Sequence, residues 1–166
     1  MTVHVVCFEG MSSISAEYAV TNMVTGLGLY NFTVHTVPFM KTKNMIEWCS
    51  HIEDGFHPSD KVLYVAKSWG AVRMCRMLRK TSRRVDWIIT IDPSSLSRMF
   101  IPYPVKIPEK YIPISVNYYQ TKGTPIGCET NGRNVVIYGV NHMSITTCPL
   151  VEKYVLVAIK RLRDER

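Results

Sequence analysis

The chain has 166 residues, enough for one hydrophobic core, and its 46% apolar and 20% charged residues are typical of an ordinary globular protein. Its formal net charge is +7, no apolar run approaches the ~20 residues that a membrane helix needs, and the first residues do not resemble a signal peptide. The five cysteines are scattered singly, which suggests neither a disulfide framework nor a zinc site, so we expect a reducing, cytoplasmic environment.

Strand patterns alternate with helical patterns along the whole chain. Apolar runs predict six strands at residues 3–8, 32–39, 62–67, 85–91, 112–119 and 134–140. Helical spacing and capping residues predict helices at residues 12–27, 43–51, 68–80 and from 149 to the C-terminal end. Continuous apolar strands between helices are typical of a sheet buried on both faces. We therefore predict a single domain over residues 1–166, a three-layer α/β sandwich with a mainly parallel sheet of about six strands.

The most informative segment is DKVLYVAKSWGAVRMC, at residues 60–75. An apolar strand breaks off at A-K-S-W-G, and a helical pattern follows at once, as in a nucleophile elbow. Small residues at positions 66 and 70 let the strand and helix backbones come close around the turn. Small-x-Ser-x-Gly also occurs by chance, and Ser68 could simply cap a helix. The strand before it and the helix after it favour a nucleophile, and we interpret Lys67 as a solvent-facing residue of the turn.

Three predicted strands end in reactive side chains, in the order Ser68, Asp92, His142. Sites in parallel α/β sheets lie at the carboxyl ends of the strands. A serine hydroxyl needs a base to become nucleophilic, histidine is a base near neutral pH, and a carboxylate orients the imidazole. Singly, Asp92 could form a turn with Pro93, and His142 could be an exposed loop residue. Their common placement favours a Ser-His-Asp triad.

The chain resembles α/β-hydrolases of the small, lidless bacterial lipase type. AKSWGA resembles their A-H-S-M-G-G elbow, and GRNVVIYGVNHMSI resembles their last strand and histidine loop. FEGMSS stands where the family has an H-G-x loop, with Glu9 in place of the histidine. The resemblance implies an oxyanion hole formed by the backbone N–H groups of Met11 and Trp69.

The position of the catalytic acid differs between related families. Small lipases carry it after the strand equivalent to residues 112–119, where this chain has no carboxylate until Glu129. ITIDPSS instead resembles the L-D-P-A segment of pancreatic-type lipases, whose aspartate follows the preceding strand. We therefore place the acid at Asp92, with Glu129 as the alternative.

A stretch rich in apolar and proline residues follows Asp92, where related enzymes insert substrate-binding elements. We predict that it forms a wall of an acyl pocket, with Met99, Phe100, Ile101 and Tyr103 as binding residues. The same stretch could be a buried crossover that replaces a helix, and the two interpretations are compatible.

Together these features predict a serine hydrolase that cleaves a carboxylic ester or thioester through an acyl-enzyme, with a small-molecule or lipid-like acyl substrate and no metal or organic cofactor. An amidase or peptidase would use the same triad. A non-catalytic binding protein on a hydrolase scaffold is the alternative of a different class.

Much of the positive charge falls in two segments. These are Arg73, Arg76, Arg79, Lys80, Arg83 and Arg84, and Lys160, Arg161 and Arg163. A basic surface can bind nucleic acid or an anionic membrane surface. Because no aromatic residues interleave with the first segment and no nucleic-acid motif is present, we interpret both as solvated helix faces and predict no nucleic-acid partner.

Overall fold

The computed structural model describes residues 1–11, 19–28, 32–94, 105–122 and 125–165. Six strands are β1 Val3–Phe8, β2 Phe32–Val37, β3 Lys61–Lys67, β4 Trp87–Ile91, β5 Ser115–Tyr119 and β6 Arg133–Val136. The α-helices within these ranges are α1 Ala19–Thr25, α2 Thr42–Glu53, α3 Ser68–Lys80 and α4 Pro149–Asp164. Short 3-10 helices lie at Glu109–Ile114 and Ser144–Thr147.

All six strands belong to one sheet in the order β2-β1-β3-β4-β5-β6, and every neighbouring pair is parallel. The predicted parallel sheet of about six strands is therefore confirmed. Because the strands are parallel, the residues that follow β1, β3 and β4 meet at one edge of the sheet.

The sheet has a core on each face, as a three-layer arrangement requires. Leu63 and Val65 of β3 pack with buried residues of α1 and α4, whereas Tyr64 and Ala66 pack with buried residues of α2 and α3. This alternation follows from the two-residue period of a strand. Burying each large apolar side chain contributes about 1.5–3 kcal/mol, so both faces of β3 stabilise the position of the turn that follows it.

Four strands, β2, β4, β5 and β6, are shorter than their apolar patterns predict, and β5 and β6 differ most. The prediction at residues 112–119 began too early, because Glu109–Ile114 is a 3-10 helix and β5 starts at Ser115. Pro113 in that helix has no N–H to donate to a strand ladder. The prediction at residues 134–140 ran too far, since β6 ends at Val136 and Gly139, at φ 77°, turns the chain towards the next loop. The start predicted for the first helix, at residues 12–13, lies outside the described residues.

No helix in the described ranges is both long enough and apolar enough to cross a membrane.

A buried carboxylate ties the amino ends of β1 and β3 together. Asp60 accepts hydrogen bonds from the backbone N–H of Thr2 at 2.7 Å, the backbone N–H of His57 at 3.0 Å and Nε2 of His4 at 3.1 Å. These donors, with the Thr2 N–H first, lower the pKa of Asp60 to about 2. Since the folded pKa lies below the unfolded value of ~3.9, the carboxylate stabilises the fold above pH ~4 and loses this contribution as the pH falls towards 2.

We expect Asp60→Asn to lower the free energy of unfolding at pH 7 by about 1–2 kcal/mol, because bonds to a charged acceptor become bonds to a neutral one. The difference from the native protein should shrink as the pH is lowered from 5 to 3. Urea unfolding at pH 5 and at pH 3 measures the difference in the free energy of unfolding between the two proteins. Asp54→Asn, at an exposed position, is the matched control and should change stability by no more than about 0.5 kcal/mol. A difference that stays constant across this pH range would contradict the role of the charge.

Candidate active site

The turn between β3 and α3 holds Ser68 in a strained backbone conformation. Ser68 has φ 53°, in the left-handed region that non-glycine residues rarely adopt. Gly70 makes the turn possible, because a Cβ atom there would lie 2.4 Å from the Glu9 carbonyl oxygen and 2.6 Å from that of Phe8. The first turn of α3 thus packs directly on the end of β1. This strand, tight turn and helix have the local geometry that the predicted nucleophile elbow requires.

The loop after β1 borders the Ser68 side chain. A Cβ atom on Gly10 would lie 3.0 Å from Ser68 Cβ and 3.6 Å from its Oγ. Met11 follows Gly10 directly, and Trp69 is in the first turn of α3, where backbone N–H groups have no acceptor within the helix. The two predicted oxyanion donors therefore belong to segments on either side of Ser68, and their role stays a prediction.

Asp92 and His142 are joined by a buried hydrogen bond. His142 Nδ1 lies 2.6 Å from Asp92 Oδ2, although 50 residues separate them in the chain. Asp92 is fully buried and also accepts bonds from the backbone N–H and Nε2 of Gln120, both at 3.1 Å. Because the carboxylate can only accept, Nδ1 carries the proton, and Nε2 of the neutral ring is left as the basic nitrogen.

The path of the chain after β4 explains how Asp92 reaches this position. Its φ is 48°, so the backbone turns sharply, and its N–H donates to the Tyr118 carbonyl oxygen at 2.7 Å. Gly127 packs against the carboxylate so closely that a Cβ atom there would lie 1.8 Å from Asp92 Oδ1. Sequence reasoning missed both Gln120 and Gly127. The available signal for Gln120 was its position at the strand end where small lipases carry their acid.

Similar arrangements of strands and helices occur in several solved structures. A cutinase-like protein from Cryptococcus sp. aligns with a TM-score of 0.64 over 97% of this chain and 95% of its own, at 12% sequence identity. A YdeN-like hydrolase from Pectobacterium atrosepticum aligns with a TM-score of 0.62 over 97% and 92%, at 10% identity. ClbQ from the colibactin NRPS/PKS pathway aligns with a TM-score of 0.60 over 98% and 99%, at 10% identity.

The chain has the α/β-hydrolase fold. No protein-family model matches its sequence, and no curated protein is significantly similar to it. At these low identities the likeness shows the fold alone, so the chemistry has to be argued from the residues themselves.

Glu129, the alternative acid, has a different partner. Its Oε1 atom accepts a hydrogen bond from the Tyr119 hydroxyl at 2.7 Å, and the Glu129 residue is exposed. Burial, together with this carboxylate, raises the pKa of Tyr119 to about 12. In this α/β-hydrolase fold the loop after β5 therefore brings Gln120, and not Glu129, to the Asp92–His142 pair.

Glu9, which replaces the histidine of the family's H-G-x loop, has a structural role that the sequence comparison did not predict. Its buried carboxylate accepts bonds from the backbone N–H groups of Val20 at 3.2 Å and Thr21 at 2.7 Å, and from the Thr21 hydroxyl at 2.8 Å. Glu9 thereby ties α1 to the loop that contains Met11.

Lys67 is buried, which corrects the sequence interpretation of a solvent-facing residue. Only 3% of its surface is exposed. As the last residue of β3 it shares the strand face of Leu63 and Val65, which is covered by α1 and α4. It lines a cavity of about 390 Å³ beside the elbow; the other lining residues are Ala19, Asn22, Met23, Gly26, Leu27, Met143, Thr146, Thr147 and Glu152.

The predicted acyl-pocket residues Met99, Phe100, Ile101 and Tyr103 lie outside the described residues. Ser94, at the start of the same segment, is described and buried, and its Oγ lies 3.0 Å from Ser68 Oγ. Sequence reasoning did not single it out. The signal for it was the first serine of IDPSS, at the position where the L-D-P-A segment has alanine.

Proposed function

We propose that this protein is a serine hydrolase that cleaves a carboxylic ester or thioester through Ser68, His142 and Asp92. The observation that carries the proposal is the 2.6 Å contact between His142 Nδ1 and Asp92 Oδ2 at the same sheet edge as the elbow of Ser68. A buried carboxylate that fixes the tautomer of a histidine is what a general base requires.

In this mechanism Nε2 of His142 takes the proton of Ser68 while Oγ attacks the acyl carbonyl carbon. The tetrahedral intermediate places its negative oxygen against the N–H groups of Met11 and Trp69. It collapses when the bond to the leaving group breaks, and His142 returns the proton to that leaving oxygen or sulfur. Water then attacks the acyl-enzyme and gives a proton to His142. His142 returns this proton to Ser68 Oγ as the acyl–oxygen bond breaks and the acid is released.

The fold supports a hydrolase, since its structural neighbours include a cutinase-like protein and a YdeN-like hydrolase. The substrate that we propose is a small-molecule or lipid-like acyl compound bound against Met99, Phe100, Ile101 and Tyr103. An amidase or peptidase with the same triad is the nearest alternative, because amide and ester hydrolysis share these steps.

A fluorophosphonate probe tests the proposal directly. The probe phosphonylates an activated serine, so the intact mass of the native protein is expected to increase by one adduct, which peptide mapping locates on Ser68. Turnover of a short p-nitrophenyl ester, an acyl thioester and the matching anilide then separates the substrate classes. Absence of any adduct on Ser68, with no turnover of the three substrates, would favour the non-catalytic binding protein.

A further inference from the structure

The hydroxyl of Ser68 has a second buried serine within hydrogen-bond distance. Ser94 Oγ lies 3.0 Å from Ser68 Oγ, and both residues are buried. Among the described residues, the Ser68 side chain is hydrogen-bonded to Ser94. His142 is hydrogen-bonded to Asp92, and no hydrogen bond joins it to Ser68 in this part of the chain. The Ser68 side chain therefore rests against Ser94, and either hydroxyl can be the donor of this bond.

Ser94 cannot easily move away from this contact. It follows Asp92 and Pro93, whose turn is held at both ends: Asp92 N–H donates to Tyr118 at 2.7 Å, and Cys128 N–H donates to the Pro93 carbonyl at 2.9 Å. Ser68 lies in the tight turn between β3 and α3, and Gly10 packs directly against it. The contact can then be broken only by rotation of a side chain.

The bond between the two hydroxyls opposes attack on a substrate when Ser68 is the donor, because its proton then points to Ser94 and is not available to His142. Once His142 takes the proton, Ser68 Oγ can no longer donate to Ser94. In this orientation the bond exists in the free protein and not in the transition state, and an interaction of that kind raises the barrier. If Ser94 were the donor, the bond would strengthen as Ser68 Oγ became negative, and Ser94→Ala would slow the reaction.

We propose that Ser94 is a positioning residue that holds the Ser68 hydroxyl in a resting conformation, from which substrate binding turns it to His142. This inference rests on the proposed function and adds a regulatory contact to the same site. It also accounts for a departure from the L-D-P-A segment, in which the corresponding alanine could make no such bond.

Three substitutions at one position test the proposal. Ser94→Ala removes the hydroxyl and is expected to increase the rate constant of fluorophosphonate labelling, and kcat/KM for a p-nitrophenyl ester, by about 2- to 10-fold, the range for loss of one ordinary hydrogen bond. Ser94→Cys keeps most of the volume but bonds weakly, and should change both rates in the same direction. Ser94→Thr keeps the hydroxyl and should remain within about twofold of the native protein.

The pH profile separates a positioning role from a proton-transfer role. The plateau of kcat/KM should rise in Ser94→Ala while the pH of half-maximal kcat/KM stays unchanged, since the Asp92–His142 pair is untouched. A lower plateau, or a threonine variant as fast as the alanine variant, overturns the proposal. Thermal unfolding shows whether Ser94→Ala is folded. If it is not, the rates of Ser94→Cys relative to the native protein test the proposal.

Failure of this inference and failure of the proposed function give different results. Labelling of Ser68 in the native protein, with an equal or slower rate in Ser94→Ala, refutes the resting contact alone. If peptide mapping finds no adduct on Ser68 in the native protein or in any variant, the hydrolase proposal itself fails.

Discussion

Replacing Ser68 by alanine is expected to reduce kcat for a short p-nitrophenyl ester by at least about 10⁴-fold, because the acyl-enzyme can no longer form. The fold should persist. Alanine at φ 53° carries about the same backbone strain as serine, and among the described residues the substitution removes the side-chain bond to Ser94. Initial rates and far-ultraviolet circular dichroism measure the two effects.

The matched control is Ser82→Ala, a change of the same kind at an exposed position. It should retain native turnover and labelling. Undiminished turnover in Ser68→Ala would show that another group attacks the substrate and would remove the basis of the proposed mechanism.

The second large effect concerns the acid. Asp92→Asn is expected to lower kcat by about 10²–10⁴-fold, because an amide at this position donates to Nδ1 and favours the tautomer that has its proton on Nε2. His142→Ala should cost on the order of 10³-fold or more. Glu129→Gln is the matched control, since it neutralises a carboxylate that contacts Tyr119, and it should change kcat by less than about tenfold. Steady-state kinetics on the p-nitrophenyl ester measures kcat for each of these variants and shows whether Asp92 or Glu129 is the acid.

If Glu129→Gln were the damaging substitution and Asp92→Asn were nearly silent, the loop after β5 would have to supply the acid in the substrate complex. The contact between Asp92 and His142 would then be structural. Unfolding measurements on both variants exclude the simpler explanation that one of them fails to fold.

The tight turn between β3 and α3 could be predicted from the sequence because its determinants are local. An apolar strand, small residues at 66 and 70 and an immediate helix all lie within one short segment. The ends of β5 and β6 were placed less well. Their limits depend on Pro113 and on the turn at Gly139, which interrupt otherwise apolar runs.

The contacts around Asp92 and Ser68 depend on residues that are distant in the chain. Gln120 bonds to Asp92 across 28 residues, and Ser94 bonds to Ser68 across 26. The periodicity of the sequence cannot predict such contacts, because they depend on the order of the strands and on the paths of the loops. The burial of Lys67 is a similar case, because it depends on which helices cover that face of β3.

By itself, the sequence determined the parallel α/β sheet, the turn at Ser68 and the placement of three reactive residues at strand ends. Apolar periodicity and small residues act over a few positions, so these features can be recognised locally. Only the tertiary structure decided that Asp92 meets His142 while Glu129 meets Tyr119, and that Ser94 faces Ser68. The physical reason is that parallel pairing and the turns after β4 and β5 bring distant side chains to one edge of the sheet.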